Sequence, residues 1–380
     1  MFQLTEDQLS LQDMVRSFAE KEIAPKAERF DKESKYPDEI IKSLAEMGIL
    51  GLNIPEEYGG AGMDEICKVL AIAEVGRGCG GTGEILGTQL LVNDIVLKNA
   101  NEEQKNKYLP LVAEGRLGAF ALTEPGAGSD ASGVRTKAVK DGDGYVINGS
   151  KCFISNMGQD EGDFVVVITV TDPQKGTRGG MTAFLVERGT PGFTVGKTED
   201  KMGIRAAAVS ELIFDDCRVP ASAVVGTVGD GFRIAMSGLD GGRIGMAALS
   251  IGISQSALDA AIKYSKERVQ FGKPIGANQG LRWYIAEMAT RQEAARLLTL
   301  QAADARDKGL PGLTRLASMA KYYASETATY IADLALQIHG GYGYMKDYAI
   351  ERIYRDSRIL RIFEGTSEIQ KIVISREMLK

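Results

Sequence analysis

Apolar positions recur with a helical period over the first third of the chain, give way to short β-rich runs in the middle, and return to long helical stripes afterwards. Leu11, Met14, Val15, Phe18 and Ala19 share one helical face, and Thr5 with Gln8 has capping-box spacing at its start. That stripe is expected to end near Pro25, which removes a backbone donor and clashes with the preceding turn. A second helix is expected at Tyr36-Pro37, with Asp38 and Glu39 in its first turn, Ile40, Ile41 and Leu44 on one face and a stop at Gly48. Residues 57–62 read as a glycine-rich loop, followed by helical stretches over 63–75 and 85–98.

The period then changes. Residues 145–149, 164–170, 182–186 and 211–214 are β-rich runs bounded by Gly, Asp and Asn. Close spacing with no intervening helices predicts a small antiparallel sheet or barrel. Past about Gly231 the helical stripes resume, with Leu281, Tyr284, Ile285 and Met288 on one of them and an alanine-rich stretch over 313–336. The expected fold is α+β and mostly α: an N-terminal helical domain over 1–117, a central antiparallel β-domain over 118–230 and a C-terminal helical bundle over 231–380.

Composition narrows the chemistry. The 380 residues carry a net charge of −6, which gives no electrostatic reason to expect nucleic acid or an anionic membrane as partner. No apolar run is long enough to predict a membrane span, and the N-terminus lacks a basic and apolar leader pattern. Cys67, Cys79, Cys152 and Cys217 are scattered without a CxxC pair and read as buried free thiols, so a cytoplasmic location is expected. His339 is the single histidine, which excludes a histidine-rich metal site and moves acid–base work toward a carboxylate. It reads as a helix-terminal residue facing the last carbonyls. Gly78 to Gly83 matches GxGxxG, but the residues before it read as helix, so it is set aside as a flexible helix connection.

Four segments combine glycine, polar side chains and rigid neighbours. Phe120 to Asp130 includes Leu122, Thr123, Gly128 and Ser129; its glycines let backbone amides approach a ligand, and a plain turn fits equally. Phe153 and Ser155 lie two apart and would share a strand face, suiting a flat ligand or merely a half-buried strand. Arg268, Gln270 and Phe271 cluster beyond a helix end, where they suit a pyrophosphate and an adenine or form a solvated terminus. Arg361 to Glu368 puts Glu364 between apolar residues and Gly365, a setting that raises a carboxyl pKa, although a helix cap has the same look.

Taken together, FALTEPGAGSD, KCFISN, ERVQFGKPIG, QIHGGYGY and RIFEGTSEIQ stand in the order and spacing of the acyl-CoA dehydrogenase family, and the chain resembles its short-chain, butyryl-CoA branch end to end. The resemblance implies FAD between the middle and C-terminal domains. Phe120, Leu122, Thr123, Gly128 and Ser129 would line the ring, with Phe153 and Ser155 flanking it and Ser155 toward N5. Arg268, Gln270, Phe271, Gln279, Gln337, Gly340 and Gly341 would hold pyrophosphate and adenosine, partly across a subunit boundary, and Thr366 and Glu368 would complete the site. Asp240, Arg243 and Ser129 match positions that grip coenzyme A.

Glu364 matches the base that takes the α-proton of an acyl-CoA thioester, with its own amide and Gly365 at the thioester end. Relatives that carry the base on a bundle helix have a carboxylate where Leu239-Asp240-Gly241-Gly242-Arg243 has glycine. Phe153 and Phe363 replace a frequent tryptophan and tyrosine. Glu84 matches an acyl-pocket position that is mostly apolar or small, where it would meet a polar tail, solvent or a buried partner. The implied partners are an acyl-CoA or enoyl-CoA thioester and electron-transfer flavoprotein, in a homotetramer. The same site in reverse would make an enoyl-CoA reductase; an oxygen-using oxidase and a non-catalytic acyl-CoA binder are further rivals.

Overall fold

The structure, a computed structural model, describes residues 3–158 and 160–380. Helix α1 (Glu6–Phe18) opens on the expected capping box: Gln8 N–H donates to Thr5 Oγ1 at 3.2 Å and Thr5 N–H to Gln8 Oε1 at 3.0 Å. Leu11 and Val15 are buried, but Met14 is 43% exposed, so the apolar stripe is narrower than its pattern. Pro25 does not stop the chain's helical path. A π turn over Ala19–Ile23 and a 3-10 turn over Ala24–Lys26 carry it into α2 (Ala27–Glu33), with Pro25 in a first turn, where its missing donor costs little. Helix α3 (Asp38–Glu46) ends just before Gly48, whose φ of 75° turns the chain left-handed.

Helices α4 (Glu65–Gly78) and α5 (Gly80–Asn99) meet at the GxGxxG segment, separated by the extended Cys79. Helix before helix rules out a dinucleotide turn there. The flexible connection expected from these glycines is also corrected: a Cβ on Gly83 would lie 2.6 Å from the Gly76 Cα. The glycines allow close helix contact, and the corner is tight. Helix α6 (Glu102–Ala113) leads into the sheet.

The sheet has eight strands: β1 (Gly118–Ala121), β2 (Lys137–Asp141), β3 (Gly144–Ser155), β4 (Phe164–Val170), β5 (Met181–Glu187), β6 (Phe193–Thr198), β7 (Val209–Pro220) and β8 (Val224–Val225). Their order is β6-β7-β3-β2-β4-β5-β8, with β1 added parallel to β4. Most pairs are antiparallel. Strand β3 is irregular near its end. Lys151 faces Leu212 and Ile154 faces Ser210, so β3 carries one extra residue, and Phe153 takes a φ of 59° there.

Helix α7 (Gly231–Glu267) is the spine of the C-terminal part. It is apolar and long enough to cross a membrane by length and composition, yet 78% of that apolar window is buried against other helices, as a core helix requires. A short hairpin, β9 (Val269–Gln270) and β10 (Lys273–Pro274), leads to α8 (Gln279–Asp307), α9 (Leu313–His339), α10 (Ala349–Ile359) and α11 (Ser367–Met378). A buried charge network ties the N-terminal helices to α8. Lys68 reaches Glu65 at 2.9 Å and Asp94 at 2.6 Å, and Arg306 reaches the same two carboxylates at 2.7 and 2.8 Å. Each buried charge has an opposite partner, the condition for tolerating it. All four cysteines are free; Cys67, Cys79 and Cys217 are buried and Cys152 is half-buried.

Candidate active site

Glu364 stands in the short connection between α10 and α11, in a left-handed conformation with φ of 53°, followed by Gly365 at 89°. A glutamate tolerates that geometry only where its surroundings fix it. They do so here. Gln370 Nε2 donates to the carbonyls of Glu364 at 3.1 Å and Gly365 at 2.9 Å, and Lys321 Nζ donates to the Gly365 carbonyl at 2.7 Å. Thr366 caps α11 by accepting from Ile369 N–H at 3.3 Å, and Ser367 and Arg361 both donate to Glu326. The Glu364 amide N–H makes no hydrogen bond among the described residues.

The Glu364 side chain points inward. Its Oε2 is cut off from solvent and has no hydrogen-bond partner among the described residues. Burial pushes the carboxyl up to about 7; Arg243 and Lys321 pull it back, and negative charge on Glu84 adds to the rise. Burial likewise lowers the Lys321 ammonium to about 8. Beneath the carboxylate lies α7: a Cβ on Gly242 would sit 2.8 Å from Glu364 Oε2 and 3.5 Å from Leu91. Glycine at 242 therefore leaves the space that Glu364 fills.

Asp240 and Arg243, on the same turn of α7, pair at 2.6 Å, and Thr314 donates to Asp240 at 2.7 Å. Arg243 is only 6% exposed, and its charge acts on Glu364. The Arg243 guanidinium thus lies in the floor of the site, paired with Asp240, where its charge faces Glu364. Glu84 is buried on α5, accepts from Thr88 at 3.1 Å, and leaves Oε2 without a partner. The end of β3 is held against it, with Asn156 Nδ2 donating to the Ile85 carbonyl at 3.1 Å.

The turn after β1 carries Leu122 and Thr123, half-buried, and Gly128 and Ser129, exposed; Phe120 is half-buried in β1 itself. Glu124 shapes the turn by accepting from the amides of Arg135 and Thr136 and from Lys151, at 2.8, 2.9 and 2.7 Å. A Cβ on Gly126 or Gly128 would meet nothing within 4 Å, so this backbone has an open face. Because of the bulge, Phe153 and Ser155 do not follow simple alternation. Phe153 is 65% exposed and Ser155 is half-buried; burial raises the Glu84 carboxyl, and nearby Ser155 and Thr88 pull it part of the way back.

At the far end of α7 and α9 a cavity of about 530 Å³ is lined by Tyr264, Arg268, Gln270, His339, Gly340 and Gly341, among others. His339 Nδ1–H donates to the Ala335 carbonyl at 2.7 Å and the ring stacks on Tyr264 at 4.3 Å, the helix-end role expected of it. Arg268 lies over the Tyr342 ring at 5.1 Å. Phe271 stands apart at the hairpin tip, 98% exposed, and Gln279 and Gln337 are exposed outside the cavity wall. Glu368 is exposed in the first turn of α11.

Sequence reasoning missed Lys321 and Gln370, which hold the Glu364 loop. A lysine inside the alanine-rich face of α9 was the available signal, since a fully buried lysine needs a partner.

Three family models cover the chain: the acyl-CoA dehydrogenase N-terminal domain over 5–116, its middle domain over 119–217 and its C-terminal domain over 229–379. The chain belongs to the acyl-CoA dehydrogenase family. Within that family it is 51% identical to an acryloyl-CoA reductase (NADH) of Anaerotignum propionicum, across 100% of this chain and 96% of the relative. It superposes on butyryl-CoA dehydrogenase from Megasphaera elsdenii with a TM-score of 0.96, at 43% identity and full coverage of both chains. A chain from a structure described as the electron transferring flavoprotein of Acidaminococcus fermentans, solved in connection with electron bifurcation, matches with a TM-score of 0.97, at 46% identity and full coverage of both.

Proposed function

We propose that this protein interconverts a small acyl-CoA and its α,β-enoyl-CoA, with Glu364 handling the α-proton. Family membership makes it an FAD-dependent oxidoreductase of carbon–carbon bonds. The observation that carries the rest is the half-buried Glu364, whose Oε2 is cut off from solvent without a partner among the described residues and whose carboxyl is raised by burial to about 7.

The residues present fit FAD. The open glycine backbone at 126–128 with Thr123 and Ser129 suits the ring system, with Phe153 and Ser155 beside it. The cavity with Arg268, Gln270, Gly340 and Gly341 suits the pyrophosphate and adenosine, and Arg268 supplies the positive charge. When bound, FAD supplies the two-electron chemistry at Cβ. Phe271, Gln279 and Gln337 face outward in one chain, which supports their completing a site in a neighbouring subunit of a homotetramer.

The α-proton of a thioester is weakly acidic, so its removal requires the carbonyl oxygen to be stabilised as charge develops. The free Glu364 amide beside Gly365 is a donor available for that oxygen. Glu364 takes the proton from Cα in the oxidative direction and returns it in the reductive one. Lys321 and Gln370 hold the loop while this happens, and Arg243 keeps the carboxyl from rising so far that it stays protonated. Gly242 leaves α7 without a carboxylate at the position beneath Glu364.

Electron-transfer flavoprotein is the proposed redox partner, supported by the kinship with the Acidaminococcus chain. The kinship with an acryloyl-CoA reductase supports a second reading, in which the physiological direction is reduction. Anaerobic titration of the purified holoenzyme with saturated and α,β-unsaturated thioesters tests the function. Bleaching by a saturated acyl-CoA supports it; a flavin indifferent to every thioester in both redox states contradicts it. Turnover only with a reduced electron-transfer flavoprotein would select the reductive direction.

A further inference from the structure

Glu84, Thr88 and Leu91 fall at i, i+4 and i+7 of α5 and so share one face of that helix. A Cβ at Gly242 would meet Glu364 Oε2 at 2.8 Å and Leu91 at 3.5 Å, which places this face of α5 beside the floor of the site. Glu84 is 4% exposed; Thr88 donates to its Oε1 at 3.1 Å, and the Ser155 hydroxyl lies close enough to bias it through a longer contact. Oε2 is buried with no partner among the described residues. Ser155, at the end of β3, lies beside it, and Glu84 in turn acts on Glu364. Two carboxyl groups from separate elements thus face one site, each with an oxygen unused.

A buried carboxyl with an empty lone pair costs stability unless something supplies a donor. The cation nearest in its field does not: Lys201 Nζ donates to the Ala207 carbonyl at 2.7 Å and acts on Glu84 only through space. A thioester tail made only of methylenes would leave Oε2 unsatisfied and add further desolvation. A tail carrying a hydroxyl or ammonium group would complete it.

Resting on the acyl-CoA reading above, we propose that Glu84 is a specificity-determining residue that selects thioesters whose acyl chain carries a hydrogen-bond donor beyond Cβ. The donor is met by Oε2, while Thr88 holds the other oxygen in place. Recognition is by difference: a site with a polar group waiting rejects the analogue that lacks the donor.

The test uses the FAD-loaded enzyme and two matched pairs, butyryl-CoA against 4-hydroxybutyryl-CoA and pentanoyl-CoA against 5-aminopentanoyl-CoA. Anaerobic flavin reduction gives kcat/KM, and calorimetric titration gives binding independently of turnover. The wild type is expected to favour the donor-bearing member of at least one pair by about tenfold or more. Preference for the hydroxyl pair alone assigns a neutral donor, and preference for the amine pair assigns a cation. Glu84→Val should abolish or invert that preference, and Glu84→Gln should keep more of the hydroxyl preference than of the amine preference.

Retained flavin and an unchanged melting profile identify variants that fold. Should Glu84→Val fail to fold, the wild-type ratios and Glu84→Gln still decide. A wild type that favours the plain chains in both pairs overturns the proposal, as do ratios left unchanged by the variants, while reduction by butyryl-CoA keeps the Glu364 reading intact. If no thioester binds or alters the flavin, both readings fall together.

Discussion

At the scale of single residues, the proposed chemistry turns on how far burial lifts Glu364 and how far Arg243 and Lys321 restrain it. With the carboxyl at about 7, oxidation needs the ionised form, so kcat/KM for a saturated acyl-CoA should climb as pH rises through 7 and then level. Enoyl-CoA reduction needs the protonated form, and its rate should fall across the same interval. Stopped-flow rates at pH 5.5 to 8.5, in both directions, check the two opposite limbs; parallel limbs would be the wrong result. The space at Gly242 gives a second prediction. Moving the carboxylate, as Glu364→Gly with Gly242→Glu, should recover about tenfold or more of the activity lost in Glu364→Gly alone, measured as flavin reduction. Glu364 stood out as a candidate in the sequence because a carboxylate before a glycine in that motif has a family precedent. Lys321 was not, because one lysine in a helical stripe gives no sign of the loop it will meet 44 positions later.

At the scale of elements, local signals carried well where one turn decides the outcome and poorly where packing does. Thr5 and Gln8 formed their box because both partners lie within four residues. Strands β2 and β6 escaped notice because they are short and largely exposed, without a clear apolar alternation. The bulge at Phe153 was hidden for a different reason: an extra residue in one strand is defined only against its partner, β7. The Gly78–Gly83 corner shows the same limit, since small residues look like flexibility until a second helix packs on them. There the cost is predictable. Gly83→Ala would force a Cβ to 2.6 Å from the Gly76 Cα, and should lower stability by about 1–3 kcal/mol in a denaturant titration. An unchanged midpoint would mean that α4 and α5 can part without penalty.

At the scale of the whole molecule, the helix, sheet, helix order followed directly from the change of period along the chain. Its consequence did not. The site draws on α5, β3, α7, α9 and the loop before α11, so no stretch of sequence contains it. The outer face of the molecule is the remaining expectation. Trp283, 65% exposed on α8, and Phe271 at the hairpin tip are large apolar groups with little to cover them in one chain. Light scattering after gel filtration should give about four times the chain mass of 40.9 kDa, and charged substitutions at Trp283 should lower it. A monomeric holoenzyme with full FAD affinity would remove the subunit contribution to the cofactor site.

The most direct measurement is anaerobic flavin reduction by a saturated acyl-CoA in Glu364→Gln beside the wild type. The amide keeps the side chain's size, cannot accept the α-proton, and should leave the flavin bound and yellow while reduction slows by about a thousandfold. Bleaching at the wild-type rate would contradict the account, because the proton would then be leaving by another route.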